Sequence, residues 1–130
     1  MKHIKNLIFG ILALSFLSCV QQTQTKKISF QLKLENPSEV TSVGLRGNLE
    51  PLSWKSTMPL TYFEKDNVYR TEIELSTANF DLEFKFVVND SVFELKNQNN
   101  RQIQFKYEPE SIVYKAIYNV PEPIELSRNE

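Results

Sequence analysis

Side chains suited to covalent chemistry are scarce in this chain of 130 residues. Its only histidine, His3, and its only cysteine, Cys19, both lie near the N-terminus. Everything after them lacks an imidazole and a thiol. That excludes a Ser-His-Asp triad, a Cys-His pair, and the His or Cys ligand sets of zinc and copper sites. Gly44 and Gly47 are the only glycines beyond Gly10, too few for a Walker or dinucleotide-binding loop. The pair Glu72/Glu74 has the residue type for glycoside hydrolysis, but two acids on the outer face of one strand read as solvated. No enzyme, cofactor or metal site is expected. Binding chemistry is better represented. Trp54, the only tryptophan, lies in a polar loop and offers either a ring for stacking or a cap for the core. Phe93 alternates with Val92 and Glu94, so it either packs or stacks. Lys85 points opposite to Phe84 and Phe86, hence outward. Formal charge is −1 with no basic face evident, so nucleic acid is not an expected partner.

Before these residues can be positioned, the targeting segment has to be set aside. Leu7 to Leu17 is an unbroken run of apolar, glycine and serine residues behind Lys2 and Lys5. It reads as an export signal over residues 1–18, and its apolar part is shorter than the roughly 18 residues a spanning helix needs. Phe16-Leu17-Ser18-Cys19 resembles a bacterial lipobox, in which a small residue precedes a cysteine that is acylated and becomes the new N-terminus. Phe16 and Leu17 depart from the usual residues there. The resemblance implies lipidation at Cys19 and a place in the bacterial cell envelope, at the outer membrane. Several acyl chains at about 0.8 kcal/mol per buried methylene would hold the protein on its membrane. Residues 19–27 are polar and read as a tether, and residues 121–130 as a loose polar tail.

Residues 28–120 follow a period of two. Ile28, Phe30, Leu32 and Leu34 alternate with Ser29, Gln31 and Lys33, the pattern of a half-buried strand. Asn36-Pro37-Ser38 ends it. Val43 and Leu45 make a short second strand before Gly47-Asn48. Tyr69, Thr71, Ile73 and Leu75 form another inward row, and so do Leu82, Phe84, Phe86 and Val88. Asn89-Asp90 is a turn into Val92-Phe93-Glu94. Ile103, Phe105 and Tyr107 alternate again, and Val113 to Val120 is a last apolar strand. No window has helical spacing and no repeat is visible. Seven to eight strands in one domain predict an all-β, antiparallel, immunoglobulin-like sandwich.

The order of motifs along these strands is similar to starch-binding domains, the carbohydrate-binding module family 20. The resemblance is carried by Val43-Gly44-Leu45-Arg46-Gly47-Asn48, then Leu52-Ser53-Trp54, Met58-Pro59-Leu60, and the strand Tyr69 to Leu75. Leu82-Glu83-Phe84-Lys85-Phe86 then looks like the family's F-E-Y-K-F strand, followed by Phe93-Glu94 and Asn100-Arg101. It spans roughly residues 27–107. Three departures accompany it: a Trp54 loop shorter by one residue, Phe93 in place of a second tryptophan, and the extra residues Lys96-Asn97-Gln98-Asn99.

The resemblance implies a carbohydrate site of Trp54, Lys85, Phe93, Glu94 and Asn100. The two rings would stack on sugar faces, and the other three would bond hydroxyls. It also implies a second, tyrosine-based site, for which Tyr62 and Tyr69 have the right type, although Tyr69 lies on an inward row. The expected function is a non-catalytic, membrane-anchored lipoprotein that binds starch- or glycogen-type α-glucan, held near a partner hydrolase or importer. The alternative is an interaction module that docks another envelope protein without binding sugar.

Overall fold

Where apolar side chains recur at every second residue, a strand can bury one face and leave the other to water. In the computed structural model, which describes residues 22–37 and 39–129, nearly every such run has become one. The export signal and Cys19 lie outside the described residues. In chain order the strands are β1 (Gln24–Lys33), β2 (Val43–Gly47), β3 (Met58–Pro59), β4 (Thr61–Phe63), β5 (Val68–Thr77), β6 (Asp81–Val88), β7 (Val92–Phe93), β8 (Arg101–Gln104), β9 (Glu110–Ile117) and β10 (Glu125–Asn129). No helix forms among the described residues.

The protein is an all-β sandwich of two sheets. One has the order β10-β9-β1-β5-β4; in the other β3, β2, β6 and β7 follow in order, and β8 also pairs with β6. Pairing is antiparallel except between β1 and β9, which run parallel from Lys26↔Glu110 to Lys33↔Ile117. The strand count exceeds seven or eight because the short ladders β3 and β4 and the edge strand β10 were not expected.

The inward rows meet between the sheets. Ile28, Phe30 and Leu32 of β1, Ile73 and Leu75 of β5, Leu82, Phe84 and Phe86 of β6, and Ile112, Tyr114 and Ala116 of β9 are all buried. Phe84 sits at the centre, edge-on to Phe30 at 5.1 Å and to Tyr114 at 5.0 Å between ring centroids. Each such side chain contributes about 1.5–3 kcal/mol on leaving water, so these rows hold the two sheets together.

Both stretches expected to be loose polar chain are partly strand. β1 starts at Gln24, inside the presumed tether, and Lys26 is buried. Its ammonium reaches Glu110 Oε2 at 2.7 Å and donates to the carbonyls of Lys106 and Glu108, so its charge is neutralised and its donors are satisfied. At the other end β10 adds an edge strand to β9, with Glu125↔Lys115 through Asn129↔Ser111 in register. Arg128 of that strand donates to Glu110 Oε1 at 2.8 Å and to the carbonyl of Gln104. One buried carboxylate thus joins β1, β9 and β10. Burial alone would raise the Glu110 pKa. The hydrogen bonds from Lys26, the Lys106 amide and Arg128, with the Lys26 charge, outweigh it and hold the carboxyl below its ordinary value.

Candidate functional site

The outer face of the β2-β6 sheet carries most of the residues with binding chemistry. β2 alternates Val43, Leu45 and Gly47 inward with Gly44 and Arg46 outward, and β6 alternates Phe84 and Phe86 inward with Lys85 and Val87 outward. Register places Arg46 opposite Lys85 and Gly44 opposite Val87, and β7 then lays Phe93 beside Val87. Gly44 is required where the next segment crosses close to it. A Cβ there would lie 2.0 Å from the Thr57 methyl and 2.8 Å from the Met58 carbonyl.

Arg46 ties this surface together. Its Nε donates to Thr57 Oγ1 at 2.8 Å, one terminal nitrogen donates to the Trp54 carbonyl at 3.0 Å, and the other donates to the Asp90 carbonyl at 3.1 Å. The same guanidinium lies 5.2 Å from the centroid of the Phe93 ring. Both rings are open to water, Trp54 at 36% and Phe93 at 38% of full exposure. Trp54 is therefore not a core cap, and Phe93 is not simply packed. One cation fixes the loop of the first ring and stacks on the second.

Lys85 stands next to Arg46 and donates to the Leu95 carbonyl at 3.1 Å and the Gln98 carbonyl at 3.2 Å. An ammonium has three donors, and two of them secure the 95–98 turn. That turn holds the extra residues of the sequence. Leu95 and Asn97 adopt positive φ, and Leu95 is buried beneath it. With Asn99, Asn100, Arg101 and Pro121 the turn borders a groove of about 420 Å³. Asn100 is exposed on its rim, beside the amides of Asn97, Gln98 and Asn99.

Glu94 corrects the expected site. It is 0% exposed, turned away from the surface that Phe93 presents. Its two oxygens receive Arg101 Nε at 2.6 Å, Arg101 Nη2 at 2.7 Å, the Phe86 amide at 2.9 Å and the Asn119 amide at 3.1 Å. A carboxylate with four donors already in place has nothing left for a sugar hydroxyl. The physical reason is Arg101, which enters the sandwich on β8 and needs a counter-charge. Burial pulls that guanidinium's pKa down, and the Glu94 bond and charge raise it above its ordinary value. Arg101 also donates to the Tyr114 hydroxyl and to the carbonyls of Ile117 and Pro121.

The tyrosine pair forms elsewhere. Tyr62 of β4 and Tyr69 of β5 are register partners with ring centroids 4.9 Å apart, and Tyr62 donates to Asn67 Oδ1 at 2.8 Å. Another groove, about 430 Å³, lies on the outer face of the other sheet. None of the expected site residues lines it. Its arginine, Arg70, already bonds Gln31 and Asp66 and stacks on Phe63. Among the described residues no group of three or more metal-ligand side chains occurs.

Four of the five expected residues, Trp54, Phe93, Lys85 and Asn100, therefore reach the surface of the β2-β6 sheet or its flanking loop. Arg46 and Thr57 were missed. Arg46 could have been found, since it is the one long polar side chain on the outward row of β2. No protein-family model matches this chain, and a search of curated proteins finds no match.

Proposed function

We infer that the protein is a non-catalytic, lipid-anchored carbohydrate-binding protein whose outer β2-β6 face takes α-glucan of the starch or glycogen type. The observation that supports this is the pair of exposed rings, Trp54 and Phe93, joined through Arg46 and flanked by Lys85. Flat rings suit the C–H faces of pyranoses, and fixed cations and amides suit their hydroxyls. Trp54, Phe93, Lys85 and Asn100 are the contacts, Arg46 positions the two rings, and Glu94 is a structural residue. Cys19 carries the anchor, and the envelope is the location. A hydrolase or importer receives the captured glucan.

The test is Trp54→Ala. An exposed ring can be removed with little loss of stability, so the melting temperature should stay near that of wild type. Binding of maltoheptaose should fall by about tenfold for each 1.4 kcal/mol of lost stacking. Titration of the wild type should also perturb the single indole's emission. A wild type that neither binds millimolar maltoheptaose nor changes its emission overturns the reading. The loss of Glu94 from the site favours a second reading, in which the same face docks another envelope protein. Crosslinking through a cysteine placed at residue 93 would then capture one specific partner in intact cells.

A further inference from the structure

We propose that the end of the sandwich where the chain enters the fold is a lipid-facing surface, with the Phe80 and Tyr107 rings resting in the headgroup region of the membrane. The proposal rests on the lipid anchor at Cys19 given above, and it adds an orientation to that anchor. Phe80 and Tyr107 are the most exposed large apolar side chains of the described residues, at 72% and 62%. A single exposed aromatic is ordinary, but these two share one rim. The Phe105 amide donates to the Phe80 carbonyl at 2.7 Å, which ties the turn before β6 to the strand end that carries Tyr107.

The chain enters at the same place. The amide of Gln22 donates to the Tyr107 hydroxyl at 3.2 Å. Cys19 is only three residues earlier, and three extended residues reach about 10 Å at most. The headgroup zone of one leaflet is about 5–8 Å deep. A cysteine acylated at the hydrocarbon edge of that zone can therefore hold this rim no more than roughly 5 Å clear of the headgroups, within reach of its own aromatic side chains. Aromatic rings gain by lying at that depth, with the apolar body in and the hydroxyl wet. The charges around them suit a zwitterionic or weakly anionic surface: exposed Lys27 and Lys106 balance Asp81 and Glu108, and Lys26 and Arg128 share the one carboxylate of Glu110, which leaves a single positive charge over.

The geometry of β6 gives the orientation its use. β6 starts at Asp81, next to Phe80, and runs to Val88, with Phe93 opposite Val87. At about 3.4 Å per residue, six residues place the Phe93 ring roughly 20 Å from the rim. A domain seated on Phe80 and Tyr107 holds its ring platform away from the lipid.

The experiment uses the full chain, purified from the membrane fraction and reconstituted into phosphatidylethanolamine–phosphatidylglycerol vesicles containing lipids brominated near the headgroup. Phe80→Trp and Tyr107→Trp are each placed in a Trp54→Phe background, so that each variant has one indole. Both sites are exposed and accept the larger ring. The expected result is a blue-shifted emission quenched by about twofold or more for either probe, as for interfacial aromatics, while Trp54 of the wild type stays unquenched in the same vesicles. If the variants float with the vesicles but both indoles emit as in water, the orientation is wrong and the anchor stands. If the chain does not float and behaves like Cys19→Ala, the anchor fails and the orientation fails with it. A blue shift found only in native membranes, and not in pure lipid, assigns the rim to another protein and overturns the proposal.

Discussion

Replacing Glu94 with alanine strips a buried arginine of its counter-charge, and the cost can be worked from the contacts. Two charge-assisted bonds to Arg101 and two backbone amide bonds, from Phe86 and Asn119, disappear together. Arg101 keeps only neutral acceptors, the Tyr114 hydroxyl and the carbonyls of Ile117 and Pro121. Breaking one side of a buried pair costs about 3–5 kcal/mol. In a domain of roughly 100 residues each kcal/mol moves the melting temperature by about 4–8 °C, so a fall of about 12–40 °C is expected. Thermal and urea unfolding measure it, and maltoheptaose titration at a temperature where the variant is folded measures the site. Affinity there should match the wild type, because Glu94 does not reach the surface. The double change Glu94→Leu with Arg101→Leu should cost less than Glu94→Ala alone, because no unpaired charge is left behind. A Glu94→Ala protein that melts within a few degrees of wild type yet loses sugar would refute the structural role and return Glu94 to the binding site.

Three further expectations concern residues that position the platform and the sheet edge. The Glu110 carboxyl is held below its ordinary pKa, so it adds stability at neutral pH that is lost as pH falls through the carboxylate range. Urea midpoints measured between about pH 5 and about pH 3 should drop for the wild type and flatten in Glu110→Gln. Gly44→Ala drives a methyl into Thr57 and the Met58 carbonyl and should cost about 1–3 kcal/mol, read as a lowered unfolding midpoint. Lys85→Met keeps the stem but removes the bonds to Leu95 and Gln98. It should speed amide exchange over residues 95–98 and weaken maltoheptaose binding while leaving the core protected.

Local signals carried the sandwich. The inward rows Ile28-Phe30-Leu32 and Leu82-Phe84-Phe86 can be read from alternation, because each strand's burial is decided by its own residues. The misread segments depend on partners far along the chain. Lys26 appears as tether polarity until Glu110 is brought to it across 84 residues of sequence separation. Residues 125–129 look loose because their strand is made by β9 and by Arg128 reaching the same carboxylate. The site divides in the same way. Trp54, Lys85 and Phe93 face outward; period two suggested this for Lys85, while position alone left both rings undecided and only the motif resemblance turned Trp54 outward. Glu94 sits next to Phe93 and so takes the opposite face, which alternation implied but the motif resemblance overrode. Arg101 decided its fate, and an arginine reads as a surface residue until its burial is seen.

β1 is the middle strand of its sheet, paired on one side with β5 from Gln24↔Thr77 to Leu32↔Tyr69 and on the other with β9 from Lys26↔Glu110 to Lys33↔Ile117. A pull applied at Gln22 enters the protein through this strand and along its axis. Ladder bonds run across the strand direction, so tension loads both ladders in shear, many bonds at once, where a pull on an edge strand from its free end would peel them singly. The Lys26–Glu110 ion pair sits at the point of entry, as a lock that must open first. The sandwich is thus arranged as a mechanical clamp for load that enters along β1.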